Sequence, residues 1–209
     1  MFLDRKDAGA KLAESLRKYK DNETIILALP RGGVELGREV ADDLSVPLDI
    51  ISIRKIGHPT SPEYAICAIN EEGELLCNEI ERAMVEEKWL KEESEKQKNE
   101  AARRARIYRA GKELPDIENK SVILIDDGMA TGLTMRLAVA AVKRKKPKQT
   151  IVAVPVAPPD AIEQIMKEVQ EIVVLEPPEN FLGSVGAHYL EFDQVTDEKV
   201  IDLMRVSKI

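Results

Sequence analysis

Val122-Ile123-Leu124-Ile125-Asp126-Asp127-Gly128-Met129-Ala130-Thr131-Gly132-Leu133-Thr134 reads VILIDDGMATGLT. Four apolar residues run straight into two adjacent carboxylates, and these into a loop of small and hydroxylated residues. The apolar run is the signature of a strand buried on both faces. Gly128, Ala130 and Gly132 leave the backbone open to close approach. A helix is expected immediately after, so unpaired N–H groups and the positive end of its dipole point at one spot, with the Thr131 and Thr134 hydroxyls beside them. That combination is a cradle for a phosphate. Asp126 and Asp127 repel phosphate, so they suit what lies next to it: hydroxyls, a metal ion or developing positive charge. A sugar phosphate meets all three descriptions. Taken alone, Asp-Asp-Gly after a strand is also ordinary turn chemistry, and Thr131 a simple helix cap; the full pattern carries the functional reading.

Strands and helices alternate outward from this stretch. Residues 8–18 read as a helix with Ala8, Leu12, Ala13 and Leu16 on one face. The apolar run 24–29 ends in Pro30-Arg31-Gly32-Gly33, and a helix over 34–44 follows. Residues 48–53 read as another strand, ended by Arg54-Lys55-Ile56-Gly57. A hairpin is expected at 64–77, turned at 70–73, which sets Cys67 opposite Cys77. Residues 79–109 are strong helix formers without Pro or Gly and hold no heptad, so they read as one long or broken surface helix, anchored by Trp89. Beyond the quoted stretch come a helix ended by Pro147, a strand at 150–154, a helix at 159–168, a strand at 171–175 and a terminal helix near 197–206. Such alternation predicts a parallel sheet covered on both faces, with ligands at the carboxyl ends of the strands. PRGG, RKIG and DDGMATGLT should therefore meet at one edge.

The 209 residues suit a single α/β domain, and 44% hydrophobic residues suffice for its core. Charged residues reach 33%, a weak hint of ion-pair networks and a hot growth environment. A net charge of −7 argues against a nucleic-acid or membrane-surface binder. No apolar run approaches membrane-spanning length and the N-terminus carries no signal-like apolar core, so a cytoplasmic protein is expected. The two cysteines, in a chain without CxxC or a Cys/His cluster, indicate no zinc site and read as two buried thiols rather than a disulfide. His58 and His188 read as surface or packed histidines.

VILIDDGMATGLT resembles the phosphoribosyl-pyrophosphate (PRPP) signature of type I phosphoribosyltransferases. LPRGG is similar to that family's pyrophosphate-contacting loop, and IRKIG sits where its second basic loop is expected. The resemblance covers roughly residues 5–195, and the start Phe2-Leu3-Asp4-Arg5-Lys6-Asp7-Ala8-Gly9 resembles that of small stand-alone members of unassigned substrate. It implies one domain over 1–209: a parallel twisted sheet flanked by helices, a hairpin and long-helix insertion at about 57–112, and a hood from the N-terminus and about 176–195. It implies Mg²⁺-dependent transfer of phosphoribose from PRPP to a nitrogenous base, by a homodimer. Asp126 and Asp127 would contact the ribose hydroxyls. Met129, Ala130, Thr131, Gly132, Leu133 and Thr134 would hold the 5-phosphate. Arg31 and the Gly32 amide, with Arg54 or Lys55, would hold pyrophosphate. Mg²⁺ would be held through substrate and water, with Asp126 or Asp127 as its protein contact and no direct all-protein site. Residues 57–63 are expected to form a lid.

Members of the family that act on 6-oxopurines carry an acidic residue at the third position after the carboxylate pair. Here that position is Ala130, which argues against hypoxanthine and guanine. The few cations in 176–192 leave an anionic acceptor such as orotate without a partner, so another neutral base, such as adenine, uracil or an unusual nitrogen heterocycle, is expected. Phe181, Tyr189 and Phe192 could stack on such a base, or equally close the core over the tail. Two rival readings remain from the sequence: a non-catalytic PRPP- or nucleotide-sensing regulator of the same fold, and a hydrolase, for which no general base is evident.

Overall fold

Strands β1 (Thr24–Ala28) and β6 (Ser121–Ile125) are buried along their whole length, which is why each reads as a continuous apolar run. The computed structural model describes residues 1–21 and 23–205. In it β1 and β6 lie at the centre of a parallel sheet with β2 (Leu48–Ile50), β7 (Gln149–Val154) and β8 (Glu171–Val174), in the order β2-β1-β6-β7-β8. Alternate side chains face opposite layers. Ile25, Leu27, Val122, Leu124 and Val152 pack with α5 (Leu133–Arg144) and α6 (Pro159–Met166). Ile26, Ile123, Ile125 and Ile151 pack with α1 (Arg5–Leu16) and α2 (Gly33–Leu44). Local chemistry sets the ends: Asp4 caps α1 by accepting the Asp7 N–H at 2.7 Å, and Lys143 and Arg144 sit in the last turn of α5, where the dipole favours cations.

The segment read as one strand over 48–53 is two. The Ile51 N–H still bonds to the Ala28 carbonyl at 3.0 Å, but the Ser52 hydroxyl donates to the Ala101 carbonyl at 2.9 Å and the chain leaves the sheet. Residues Arg54 to Gly57 consequently lie inside β3 (Ile53–His58), not in a loop after a parallel strand. Strand β3 pairs antiparallel with β4 (Ser61–Asn70), and β4 with β5 (Leu75–Cys77). The register sets Cys67 directly against Cys77 with Cα atoms 4.0 Å apart, and the two form a disulfide, which corrects the expectation of two thiols. The expected long helix is broken: Asn78 caps the short α3 (Glu79–Arg82), and α4 (Glu87–Tyr108) starts afresh, with Leu90, Ala101, Ala105 and Tyr108 buried. Its C-terminal end meets α7 (Asp197–Arg205), where Ala105, Tyr108 and Val200 share a cluster with Ala28 and Val34. The N-terminal segment pairs with the tail: the Phe2 N–H bonds to the His188 carbonyl at 2.8 Å, and the Leu190 N–H to the Phe2 carbonyl at 2.9 Å. Among the described residues no helix is long and apolar enough to cross a membrane.

Candidate active site

The register of β1 against β6 pairs Ala28 with Ile125, so the loops after them leave neighbouring strands at one level. The Leu29 N–H then bonds to the Ile125 carbonyl at 2.8 Å. The two loops interlock through glycines. A methyl group on Gly32 would stand 1.9 Å from Asp127 Oδ2, and one on Gly33 would stand 2.7 Å from the Ile125 carbonyl oxygen. Only a residue without Cβ lets the PRGG loop lie against the carboxylate pair.

The two carboxylates are held differently. Asp127 Oδ2 accepts the Arg5 Nε–H at 2.7 Å, and its carbonyl accepts the Tyr189 hydroxyl at 2.6 Å. Asp126 Oδ1 accepts only the backbone N–H of Asp127, at 2.8 Å, and Asp126 has no cationic partner among the described residues. Desolvation, reinforced by the charge of Asp127, pushes the Asp126 carboxyl well above the usual carboxylate range. Arg5 is itself fixed: Nη1 donates to the Asp193 carbonyl at 2.7 Å and the guanidinium lies 3.8 Å from the centre of the Phe192 ring. The sequence reading missed this role, although Arg5 lies within the opening FLDRKDAG.

After the carboxylates, Gly132 adopts φ 75° at the start of α5, and no side chain caps that helix. Ala130 and Thr131 are exposed there, and Met129 and Leu133 are buried in the core. The Met129 N–H donates to the Val156 carbonyl at 2.9 Å, so that amide supports the loop and is not a free donor, a correction to the expectation for Met129. Beside Ala130 and Thr131 opens a cleft of about 590 Å³ whose wall includes Tyr64, Asn78, Arg136, Asp160 and Gln164.

The basic residues come from separate elements, and Arg54 and Lys55, adjacent in β3, project from opposite faces of it. Arg31 is partly exposed, with Nη1 3.6 Å from Asp197 Oδ1. Lys55 extends from β3 to Glu63 at 2.6 Å. Arg54 bonds to Gln97 of α4 at 3.0 Å, and burial, together with the nearby charge of Arg104, lowers its pKa. The aromatics expected to stack on a base are engaged elsewhere. Tyr189 is 6% exposed and packs against both Phe2 and Phe192, at 5.5 and 4.9 Å between ring centres, so it presents no free face. Phe181 stacks on His188 at 5.4 Å. His188 is packed: Nε2 accepts the Leu182 N–H at 3.0 Å, which assigns the ring proton to Nδ1, 2.6 Å from Glu176.

A model of the phosphoribosyl transferase domain matches residues 2–191. The chain belongs to the phosphoribosyltransferase family. Proteins from two strains of Mycobacterium tuberculosis, provisionally named phosphoribosyl transferases, are 34% identical over 203 residues, 96% of this chain and 46% of theirs. The chain thus spans about half the length of these curated relatives. The crystal structure of a Thermus thermophilus protein superposes with a TM-score of 0.78 at 39% identity, covering 98% of this chain and 97% of that one. The five-stranded parallel sheet flanked by helices is the type I phosphoribosyltransferase fold.

Proposed function

We propose that this phosphoribosyltransferase moves the 5-phosphoribosyl group of PRPP to a neutral nitrogenous base and releases pyrophosphate. The observation that carries the reading is the interlocked pair of loops, in which Gly32 of the arginine-bearing turn lies against Asp127. Cleavage at the anomeric carbon builds positive charge on the ribose and negative charge on the leaving group. Asp126 and Asp127 would stabilise the first, and Arg31, with Arg54 or Lys55 of β3, would stabilise the second. Thr131, Gly132 and Thr134, at the uncapped start of α5, would hold the 5-phosphate. Arg5 holds the Asp127 carboxylate in its orientation. The end of the β3–β4 hairpin, residues 57–63, would cover the site and exclude water.

The residues fit a magnesium ion held mainly by substrate. Among the described residues no cluster of three or more His, Cys, Asp or Glu side chains could hold a metal alone. Asp126 is the carboxylate of the pair left without a cation, and a hard divalent ion would relieve its desolvated charge. When bound, such an ion would neutralise pyrophosphate oxygens as the bond to the leaving group breaks. The cleft beside Ala130 holds Arg136 as its cation, already bonded to Glu168 at 2.9 Å, together with Glu79 and Asp160. That wall favours a neutral acceptor over an anionic one.

The test is pyrophosphate release from PRPP and magnesium with a panel of bases. Turnover with adenine, uracil or another neutral heterocycle that is not a 6-oxopurine is expected. Efficient use of hypoxanthine or guanine would refute the reading of Ala130. Tight PRPP binding with no turnover on any base would favour a sensing role instead.

A further inference from the structure

Asp197 opens α7 and reaches back over the turn that carries Arg31. Its Oδ1 lies 3.6 Å from Arg31 Nη1 and accepts the Tyr108 hydroxyl at 2.6 Å, while Oδ2 accepts from Arg103 Nη2 at 2.8 Å. Arg103 also forks onto Glu100, at 2.7 and 3.0 Å, and Arg104 donates to the same carboxylate at 2.7 Å. Arg54, one strand away, feels the charges of both Arg104 and Arg31. Three guanidinium groups from two separate parts of the chain therefore contact two carboxylates, and Arg54 adds its charge nearby, so the group beside the PRGG turn carries surplus positive charge.

The contacts within this group are unequal. Arg103 and Asp197 are hydrogen-bonded, whereas Arg31 and Asp197 are only in loose Coulombic contact at 3.6 Å. Arg31 and Arg103 are 32% and 41% exposed at their side chains, so both can reach an incoming ligand. A diphosphate offers each planar guanidinium two anionic oxygens to bind at once, which holds it better than a single carboxylate oxygen at that distance.

We propose that Asp197 is a resident counter-anion for the diphosphate end of the site, and that Arg103, carried in by the insertion helix α4, binds diphosphate with Arg31 once that group displaces Asp197. The inference rests on the phosphoribosyl-transfer reading and adds two residues to it, one that binds and one that competes. Tyr108 is the built-in control, because its hydroxyl bonds to Asp197 but carries no charge.

Calorimetric titration of the full chain with inorganic pyrophosphate and magnesium tests it, with ribose 5-phosphate as the parallel ligand. Asp197→Asn should tighten pyrophosphate binding about threefold to fivefold, the size of a part-exposed ion pair removed from competition. Arg103→Gln should weaken it by roughly tenfold, as for loss of a charged hydrogen bond. Tyr108→Phe should leave it within about twofold, and none of the three should change ribose 5-phosphate binding by more than that. If Asp197→Asn remains folded and binds pyrophosphate no tighter, or if Arg103→Gln binds it as the unaltered protein does, the inference is wrong while pyrophosphate release from PRPP with a base still supports the transferase reading. If the unaltered protein binds neither PRPP nor pyrophosphate, the transferase reading fails and the inference falls with it.

Discussion

At the scale of single residues, the site depends as much on what Gly32 lacks as on what Asp127 carries. A side chain at Gly32 would have to enter the space of the Asp127 carboxylate, 1.9 Å away, so one of the two loops must shift. Gly32→Ala is therefore expected to keep the fold and lower turnover by at least about 10²-fold, as removal of one transition-state electrostatic contact does. Asp126→Asn and Asp127→Asn should fall in the same range, because on the proposed reading each removes a carboxylate that would contact the ribose. Steady-state kinetics on the accepted base, with circular dichroism as the fold check, decides; wild-type rates in all three would place the chemistry elsewhere. The carboxylate pair could be read directly from the sequence, because adjacent acids after an apolar run are conspicuous. Arg5 could not, because nothing local distinguishes it from the other basic residues of α1; only the packing of the N-terminal segment against the tail brings it to Asp127.

At the scale of elements, the three-stranded antiparallel sheet and α4 are held by a disulfide and by ion pairs. The Cys67–Cys77 bond closes a loop with a sequence separation of 10, and a cross-link of that span restricts the unfolded chain by roughly 2–3 kcal/mol on the chain-entropy account. Denaturant unfolding with and without a dithiol reductant should show a loss of that order. Cys67→Ser/Cys77→Ser should match the reduced protein, and equal midpoints for all three would show that the bond contributes nothing. Helix α4 is tied to α7 by charge. The hydrogen bond from Arg103, with a further one from Arg104, overcomes desolvation and holds the Glu100 carboxyl at about 2, below its ordinary 4.5. Asp197 is held below its ordinary value as well: burial opposes ionisation, and the bonds from Tyr108 and Arg103 outweigh it. Both folded values are depressed, so the unfolded state takes up protons first. The stabilisation is present above about pH 4.5 and is lost as pH falls toward about 2. Urea midpoints measured across that window should fall with pH, and Glu100→Gln should flatten the fall; an unchanged slope would mean that this carboxylate is not held as described.

At the scale of the whole molecule, the candidate site draws on segments from Arg5 to Asp197, and most of its cations are already paired with carboxylates. Arg31 with Asp197, Lys55 with Glu63, and Arg103 and Arg104 with Glu100 are already paired, and the positive charge left over beside the PRGG turn is smaller than the negative charge a pyrophosphate carries. PRPP affinity is therefore expected to depend on a divalent cation and to weaken by an order of magnitude or more when magnesium is chelated, since removing the ion leaves the diphosphate facing this already-paired group. Calorimetry with magnesium and with a chelator tests this, and equal affinities would contradict it.

The sequence by itself determined the parallel sheet, the two loops at its carboxyl edge and the uncapped start of α5. Each of these is written in contiguous residues: buried strands as unbroken apolar runs, close backbone approach as glycine, and the loop before α5 as small and hydroxylated residues before a helix. It also determined the hairpin register that sets Cys67 against Cys77, but not that they bond, because thiol pairing depends on the approach of two chains as well as on their order. Tertiary structure alone decided where the run 48–53 divides, since the break at Ser52 follows from a hydrogen bond to Ala101, 49 residues away. It alone buried Tyr189 between two rings, joined Arg5 to Asp127, and brought Arg103 and Asp197 to Arg31. Those contacts join side chains far apart in the chain, and such pairings leave no periodicity or spacing for a sequence to display.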